Sequence, residues 1–487
     1  MKICVLGLDC GSPELIFHDE RLVNIRRLMD MGVYGRLRSI IPPITVPAWM
    51  CMATSQDPGS LGVYGFRNRI DHSYQGLGVV DSGSIKELTV WDQLARQGKK
   101  SILVGVPPGY PPRRINGISV GCFLTPDPAS NEFTHPAAVK SRITELVGEY
   151  PVDVRGFRTD RKEWLRQEIF DLSRKQWEVV RWLLSEQEWD YFQFVDIGLD
   201  RAYHGFWNHF DRQHPQYQPG NPYEHVIPDY HRWLDEQIGS VLELLDDQTI
   251  VLLASDHGAQ RLDGAFALNE WLIQEGLLCL DEYPNQPAPL AVLKVNWAKT
   301  KVWSEGGYYA RIFFNVAGRE PQGIVPAGEY EAFQEEMKVR LQTMTDDCGR
   351  RHDSLVFKPR DIYRQVRNIA PDLIAHIDGL SWRPIGSVGH RRIAVQDNDT
   401  GPDACNHSQF GLFVLAAPNC PLRGEHDGAG LLDMAPTLLD LAGYEIPAGM
   451  QGRSLAAGGG KRTEPRSSMN QEEQARISDR LAGLGYI

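Results

Sequence analysis

Three strand-length apolar runs in this chain each lead straight to an aspartate. Residues 3–8 (ICVLGL) end at Asp9, residues 190–197 (DYFQFVDI) lead to Asp200, and residues 248–254 (QTIVLLA) lead to Asp256. Such runs predict buried strands. Helix-like stretches lie between them, at 20–32 closed by Gly32, 86–98 closed by Gly98, 161–186 and 228–246, with a further strand at 101–106. This alternation predicts an α/β fold, with a mostly parallel central sheet and helices on both faces. Folds of that class place their chemistry in the loops beyond the carboxyl ends of the strands.

The rhythm has interruptions. Residues 107–160 are rich in Pro, Arg and Gly and read as irregular. Residues 290–370 carry short β-like pieces and the aromatics Trp297, Trp303, Tyr308, Tyr309, Phe313 and Phe314, and read as an inserted cap. The aromatics are expected to pack the cap rather than stack a base. The core is therefore expected over 1–289 and again over 371–455, with strands at 371–377 and 411–416 and a helix at 430–442. Residues 456–487 are expected to form a mobile tether and a tail whose last residues, 480–487, dock back.

Composition narrows the function. Acidic residues outnumber basic ones by 63 to 51, for a net charge of −12, which disfavours a diffuse nucleic-acid binder. There is no uninterrupted apolar run of about 18 residues, so no membrane span is expected. The opening M-K-I-C-V-L-G-L-D reads as a first strand, not a signal peptide, and a cytoplasmic protein is expected. The eight cysteines are scattered, with no C-x-x-C pair, so neither a zinc ribbon nor a redox motif is indicated.

Side chains able to ligate metal gather at the predicted strand ends. Asp9 follows the first strand. Asp200 and His204 are spaced D-x-x-x-H, which puts both on one side of a helical turn. Asp256 and His257 follow the third strand, and His407 precedes 411–416. Asp196 rivals Asp200 because it is nearer its strand end, though the spacing favours Asp200. His390, in S-V-G-H-R, rivals His407, though the N-H-S-Q-F-G-L-F context favours His407. Three carboxylates and three imidazoles suit two borderline divalent metals, zinc first. Asp200, His204 and His407 would serve one, and Asp9, Asp256 and His257 the other. Two such ions about 4 Å apart clamp a phosphoryl group. Thr45, in I-T-V-P-A-W, is the candidate nucleophile. A helix beginning there would present free N–H groups to an anion.

These pieces occur in order: D-x-G at Asp9, P-P-I-T-V-P-A-W, D-R-A-Y-H-G-F-W, S-D-H-G and N-H-x-x-x-G-L-F, spread over residues 9–411. Together they resemble the alkaline phosphatase superfamily, in its type I phosphodiesterase / nucleotide pyrophosphatase branch with the related phosphohydrolases and phosphomutases. The segments 264–272, 433–443 and 452–455 are similar as well. The resemblance implies an alkaline phosphatase-like fold. Asp9, Asp256 and His257 match one metal's ligands, Asp200, His204 and His407 match the other's, and Thr45 bridges. It implies hydrolysis of a small phosphate ester (a phosphodiester, nucleotide pyrophosphate or phosphomonoester) through a phosphothreonine on Thr45. Net configuration at phosphorus would be retained, with Zn²⁺ or, as in mutase-like relatives, Mn²⁺.

One position departs. Where the family carries a phosphate-binding asparagine this chain has Phe66, so Arg67 and Asn68 are the substrate-binding candidates. An arginine there makes a charge-assisted contact and favours a more highly charged phosphate. The rival readings are a phosphomutase, a phosphonate or sulfate ester hydrolase, and a non-catalytic metal-stabilised binding protein. T-V-P-A-W lacks the arginine of the usual sulfatase motif, and a full ligand set with a nucleophile disfavours a mere scaffold.

Overall fold

The computed structural model describes residues 1–396 and 398–457. Its centre is a nine-stranded sheet in the order Gly424–Glu425, Val33–Arg38, Phe410–Ala416, Ile250–Ala254, Ile3–Leu8, Tyr191–Asp196, Ser101–Val104, Gly117–Val120, Thr134–His135. Ile3–Leu8 pairs in parallel with both Tyr191–Asp196 and Ile250–Ala254, so the three acid-tipped strands are adjacent. Phe410–Ala416 runs antiparallel to Ile250–Ala254, which brings its start to the edge where the others end.

The alternation of a strand between two faces builds two cores. Cys4, Leu6 and Leu8 pack on one side with apolar residues of helices Lys162–Glu186, Gly198–Phe210 and Val226–Leu242. Ile3 and Val5 pack on the other with helices Thr45–Thr54, Val90–Ala95 and Met434–Leu441. Helices thus cover both faces, as the alternating pattern predicts. No helix among the described residues is long and apolar enough to cross a membrane.

Two expectations change. The supposedly irregular 107–160 stretch contributes strand Gly117–Val120 to the main sheet and the helix Ala138–Val147. That helix buries only Ile143, so its sequence carries almost no apolar stripe to signal it. Strand Leu373–His376 does not enter the main sheet. It joins a separate four-stranded sheet with Val302–Glu305, Ala310–Phe314 and Leu355–Phe357. A short apolar run states that a strand is buried, not which sheet buries it. The tether and docking tail expected over 456–487 fall, from residue 458 onward, outside the described residues.

Candidate active site

The carboxyl edge of the main sheet gathers the expected side chains. Asp9 is the first residue past Ile3–Leu8, and Asp256 and His257 follow Ile250–Ala254. Asp200 and His204 sit one turn apart on the helix Gly198–Phe210. His407 lies on the short strand Cys405–Ser408, opposite Ala259 of Gly258–Arg261. Thr45 opens the ten-residue helix Thr45–Thr54, whose every residue is buried. All seven side chains are at most 4% exposed.

Their distances are short. His257 Nε2 is 3.2 Å from Asp256 Oδ2, 3.8 Å from Asp9 Oδ1 and 3.2 Å from Thr45 Oγ1. His204 Nε2 is 3.3 Å from Asp200 Oδ1. The rings of His257 and His407 stack at 3.7 Å, whereas those of His204 and His407 are 5.6 Å apart. Donor atoms of Asp9, Asp256 and His257 lie within 4.8 Å of one another, as do those of Asp200, His257 and His407 and those of Cys10, Asp200 and His204. Asp200, His204 and His407 do not form one such group; Asp200 joins the two imidazoles through separate groups.

The second nitrogens of the imidazoles are tied back, which aims the first into the site. His257 Nδ1 bonds the Gly258 carbonyl at 3.1 Å, His407 Nδ1 bonds the Pro43 carbonyl at 2.8 Å, and His204 Nδ1 bonds Asp403 Oδ1 at 2.6 Å. Gly7 helps place Asp9: a Cβ there would come within 2.6 Å of Trp49, and Trp49 Nε1 donates to Asp9 Oδ2 at 2.9 Å. Cys10 takes a left-handed backbone, with φ of 67°, and its N–H reaches Asp256 Oδ1 at 3.3 Å. A non-glycine residue held there is strained, as is common where function constrains a turn.

The donor set fits divalent cations. Asp9 Oδ1, Asp256 Oδ2 and His204 Nε2 are buried without a hydrogen-bond partner. Buried polar atoms are otherwise almost always paired. Burial, then repulsion from Asp200, raises the Asp9 carboxyl well above its ordinary range, and burial with Asp9 does the same to Asp256. A nearby cation removes that conflict. Burial holds His257 neutral, down to about 4, and also lowers His407, so both offer lone pairs at neutral pH. For His204, burial works against protonation but Asp403 and its neighbours outweigh it and raise the group.

Thr45, Asp200 and His407 line a cavity of about 270 Å³. Arg67, Phe66 and Tyr308 also line it, together with Arg158, Arg201, Arg311 and Arg383. Arg67 therefore lies where the sequence suggests. Asn68 does not line the cavity: its Oδ1 accepts from Tyr64 N–H at 2.7 Å and its Nδ2 donates to the Gly65 carbonyl at 3.2 Å, so the amide closes a turn. Asp196 is engaged by Trp177, Tyr230 and the Leu199 N–H, away from the metal-binding groups, and His390 bonds Ser387.

Several site residues escaped sequence reasoning. Asp403 bonds His204, Arg158 and Arg383 together. Its position four residues before His407 was the available signal. Tyr308, expected to pack the cap, instead stacks on His407 at 3.9 Å. Cys10 and Cys405 stand at the site too, Cys405 Sγ being 3.5 Å from His204 Nδ1. All eight cysteines are free.

The sequence model of the family described as type I phosphodiesterase / nucleotide pyrophosphatase matches residues 3–403. Among solved structures, the chain is similar to murine ectonucleotide pyrophosphatase / phosphodiesterase 5, at 12% identity and a TM-score of 0.53, over 92% of this chain and 96% of that one. A structure of the same murine protein, inactive and in complex with AMP, matches with a TM-score of 0.51, at 12% identity and with the same coverage. Phosphonoacetate hydrolase from Sinorhizobium meliloti 1021, in complex with phosphonoacetate, matches at 14% identity and a TM-score of 0.58, over 91% and 95% of the two chains. No curated protein sequence matches.

Proposed function

The chain belongs to the type I phosphodiesterase / nucleotide pyrophosphatase family and is a phosphoric ester hydrolase, and from that membership we propose that it cleaves a small phosphate ester with two divalent cations and a phosphothreonine on Thr45. The observation that carries this reading is the set of buried donors without hydrogen-bond partners, Asp9 Oδ1, Asp256 Oδ2 and His204 Nε2, together with Thr45 Oγ1 at 3.2 Å from His257 Nε2. Asp9, Asp256 and His257, whose donors converge, would hold one cation; the family resemblance gives Asp200, His204 and His407 to the other, with Asp200 the residue that joins the two imidazoles and Cys10 and Asp403 beside His204. Zn²⁺ suits this mixture of oxygen and nitrogen donors best, with Mn²⁺ as the alternative. When bound, the pair would supply Lewis acidity that lowers the hydroxyl's pKa and neutralises charge on the phosphoryl oxygens.

The chain's own residues do the rest. Thr45 Oγ1 gives up its proton to solvent and attacks phosphorus from the helix start. The bond to the leaving oxygen breaks, and that oxygen takes a proton from water. A second in-line attack, by water, frees Thr45 and releases phosphate, so configuration is retained overall. The N-terminal turn of Thr45–Thr54 directs N–H groups and a positive dipole end at the transferred group. Arg67, at the cavity, makes a charge-assisted contact with an oxyanion of the substrate and so favours a more highly charged ester. We also place the protein in the cytoplasm, a reading supported by eight free cysteines.

Release of nitrophenol from mono- and bis-nitrophenyl phosphate, with and without Zn²⁺ or Mn²⁺, tests the reading. Metal-dependent release that Thr45→Ala abolishes supports it. Equal turnover in Thr45→Ala refutes the covalent route, and return of the phosphoryl group to substrate in labelled water would show a mutase.

A further inference from the structure

The cavity carries more positive charge than one phosphoryl group needs. Of its five arginines, Arg201 is paired with Asp153 and Asp200, and Arg158 and Arg383 share Asp403. Arg67 and Arg311 make no ion pair among the described residues, although Glu305 is the cross-strand neighbour of Arg311 in its sheet. Arg311 is only 7% exposed, and its one hydrogen bond runs from Nη1 to the Arg67 carbonyl. A buried guanidinium without a counter-ion is costly, so it persists where a ligand completes it. Buried Arg383 Nε, on the same cavity, has no partner either.

Two of the cavity's five aromatic rings are already engaged. The guanidiniums of Arg158 and Arg201 lie 4.5 and 4.3 Å from the Phe157 ring centre. Tyr308 takes His407 at 3.9 Å and Arg383 at 4.6 Å. These two rings hold cations and an imidazole in place, while Phe66 and Phe123, also on the cavity, meet edge to face at 6.1 Å.

We infer that the substrate is a compact molecule bearing a second oxyanion beside its phosphoryl group, held by Arg67 and Arg311. This rests on the phosphoesterase reading for the position of the first group. An arginine fork binds a carboxylate or a second phosphate in the same two-pronged manner, so either source fits the pair.

Calorimetric titration of metal-loaded Thr45→Ala protein with ethyl phosphate, 2-phosphoglycolate, ethane-1,2-diyl bisphosphate and AMP tests the inference by binding alone. One of the two-anion ligands should bind about tenfold or more tighter than ethyl phosphate, and which one does so identifies the second oxyanion. Arg311→Gln should remove that advantage. Arg67→Gln, at an exposed position where folding is not at stake, should reduce it. Equal affinity for all the alkyl phosphates, an advantage that survives both substitutions, or tightest binding by AMP would overturn the inference. If the two-anion advantage appears while the native enzyme hydrolyses no ester, the inference stands and the phosphoesterase reading falls.

Discussion

His204 Nδ1 donates to Asp403 Oδ1 at 2.6 Å, and this buried pair fixes which imidazole nitrogen points at Asp200. Arg158 and Arg383 hold Asp403 from behind at 2.8 and 2.6 Å. Burial opposes the charge on Asp403, but His204 and the two arginines outweigh it and hold the carboxyl far below its ordinary range. A ligand oriented in this way binds metal better than a free one. Asp403→Asn is therefore expected to weaken metal binding about 10- to 100-fold. Metal titration of the apo-protein checks this, and excess metal should restore part of the activity.

The contact between Gly7 and Trp49 leads to a second prediction. Gly7→Ala places a Cβ 2.6 Å from Trp49 and 3.0 Å from the Phe194 carbonyl, in the middle of a packed layer. Overpacking of that kind costs about 1–3 kcal/mol. It should also draw the indole N–H away from Asp9 and lower the metal content. Calorimetry and metal analysis of the purified variant read both effects.

Two neighbouring residues should separate cleanly. Arg67→Gln should raise KM roughly tenfold through loss of a charge-assisted contact. Asn68→Ala should leave KM unchanged and cost about 1 kcal/mol of stability, because its amide only closes the Tyr64–Asn68 turn. Steady-state kinetics and thermal melts of the two variants decide it.

Acid should destabilise the fold through buried histidines outside the candidate metal-ligand set. Burial pushes His376 down to about 3 and His231 down to about 4. Both stay neutral in the folded state while the unfolded chain takes up a proton near pH 6.5. Their contribution is thus complete above about pH 6.5 and is lost as the pH falls toward 4 and 3. At pH 5 the gap is worth roughly 2 kcal/mol for each group. The Tm of wild type should drop between pH 6.5 and 4.5, and His376→Leu should flatten part of that slope. An unchanged slope in the variant would contradict this assignment.

The sequence made the sheet and its acid-tipped strands readable because short-range signals encode them. Strand length, terminal aspartates and the D-x-x-x-H spacing are local. Arg158, Arg311 and Arg383, which line the cavity, and Asp403, which backs His204, are not readable, because each comes from a different loop or strand and makes sense only through its tertiary contacts. The same holds for Tyr308: nothing nearby in sequence says that it will stack on His407, 99 positions later. Residues 371–377 read as a buried strand, but their place in the four-stranded sheet is decided by tertiary contacts that no local signal carries.

The account depends above all on Thr45 becoming phosphorylated during turnover. Metal-loaded enzyme, mixed with nitrophenyl phosphate and quenched in acid in the steady state, should yield a peptide heavier by one phosphoryl group, with that group on Thr45. Full turnover with no phosphopeptide, or a phosphoryl group found on another residue, would contradict it.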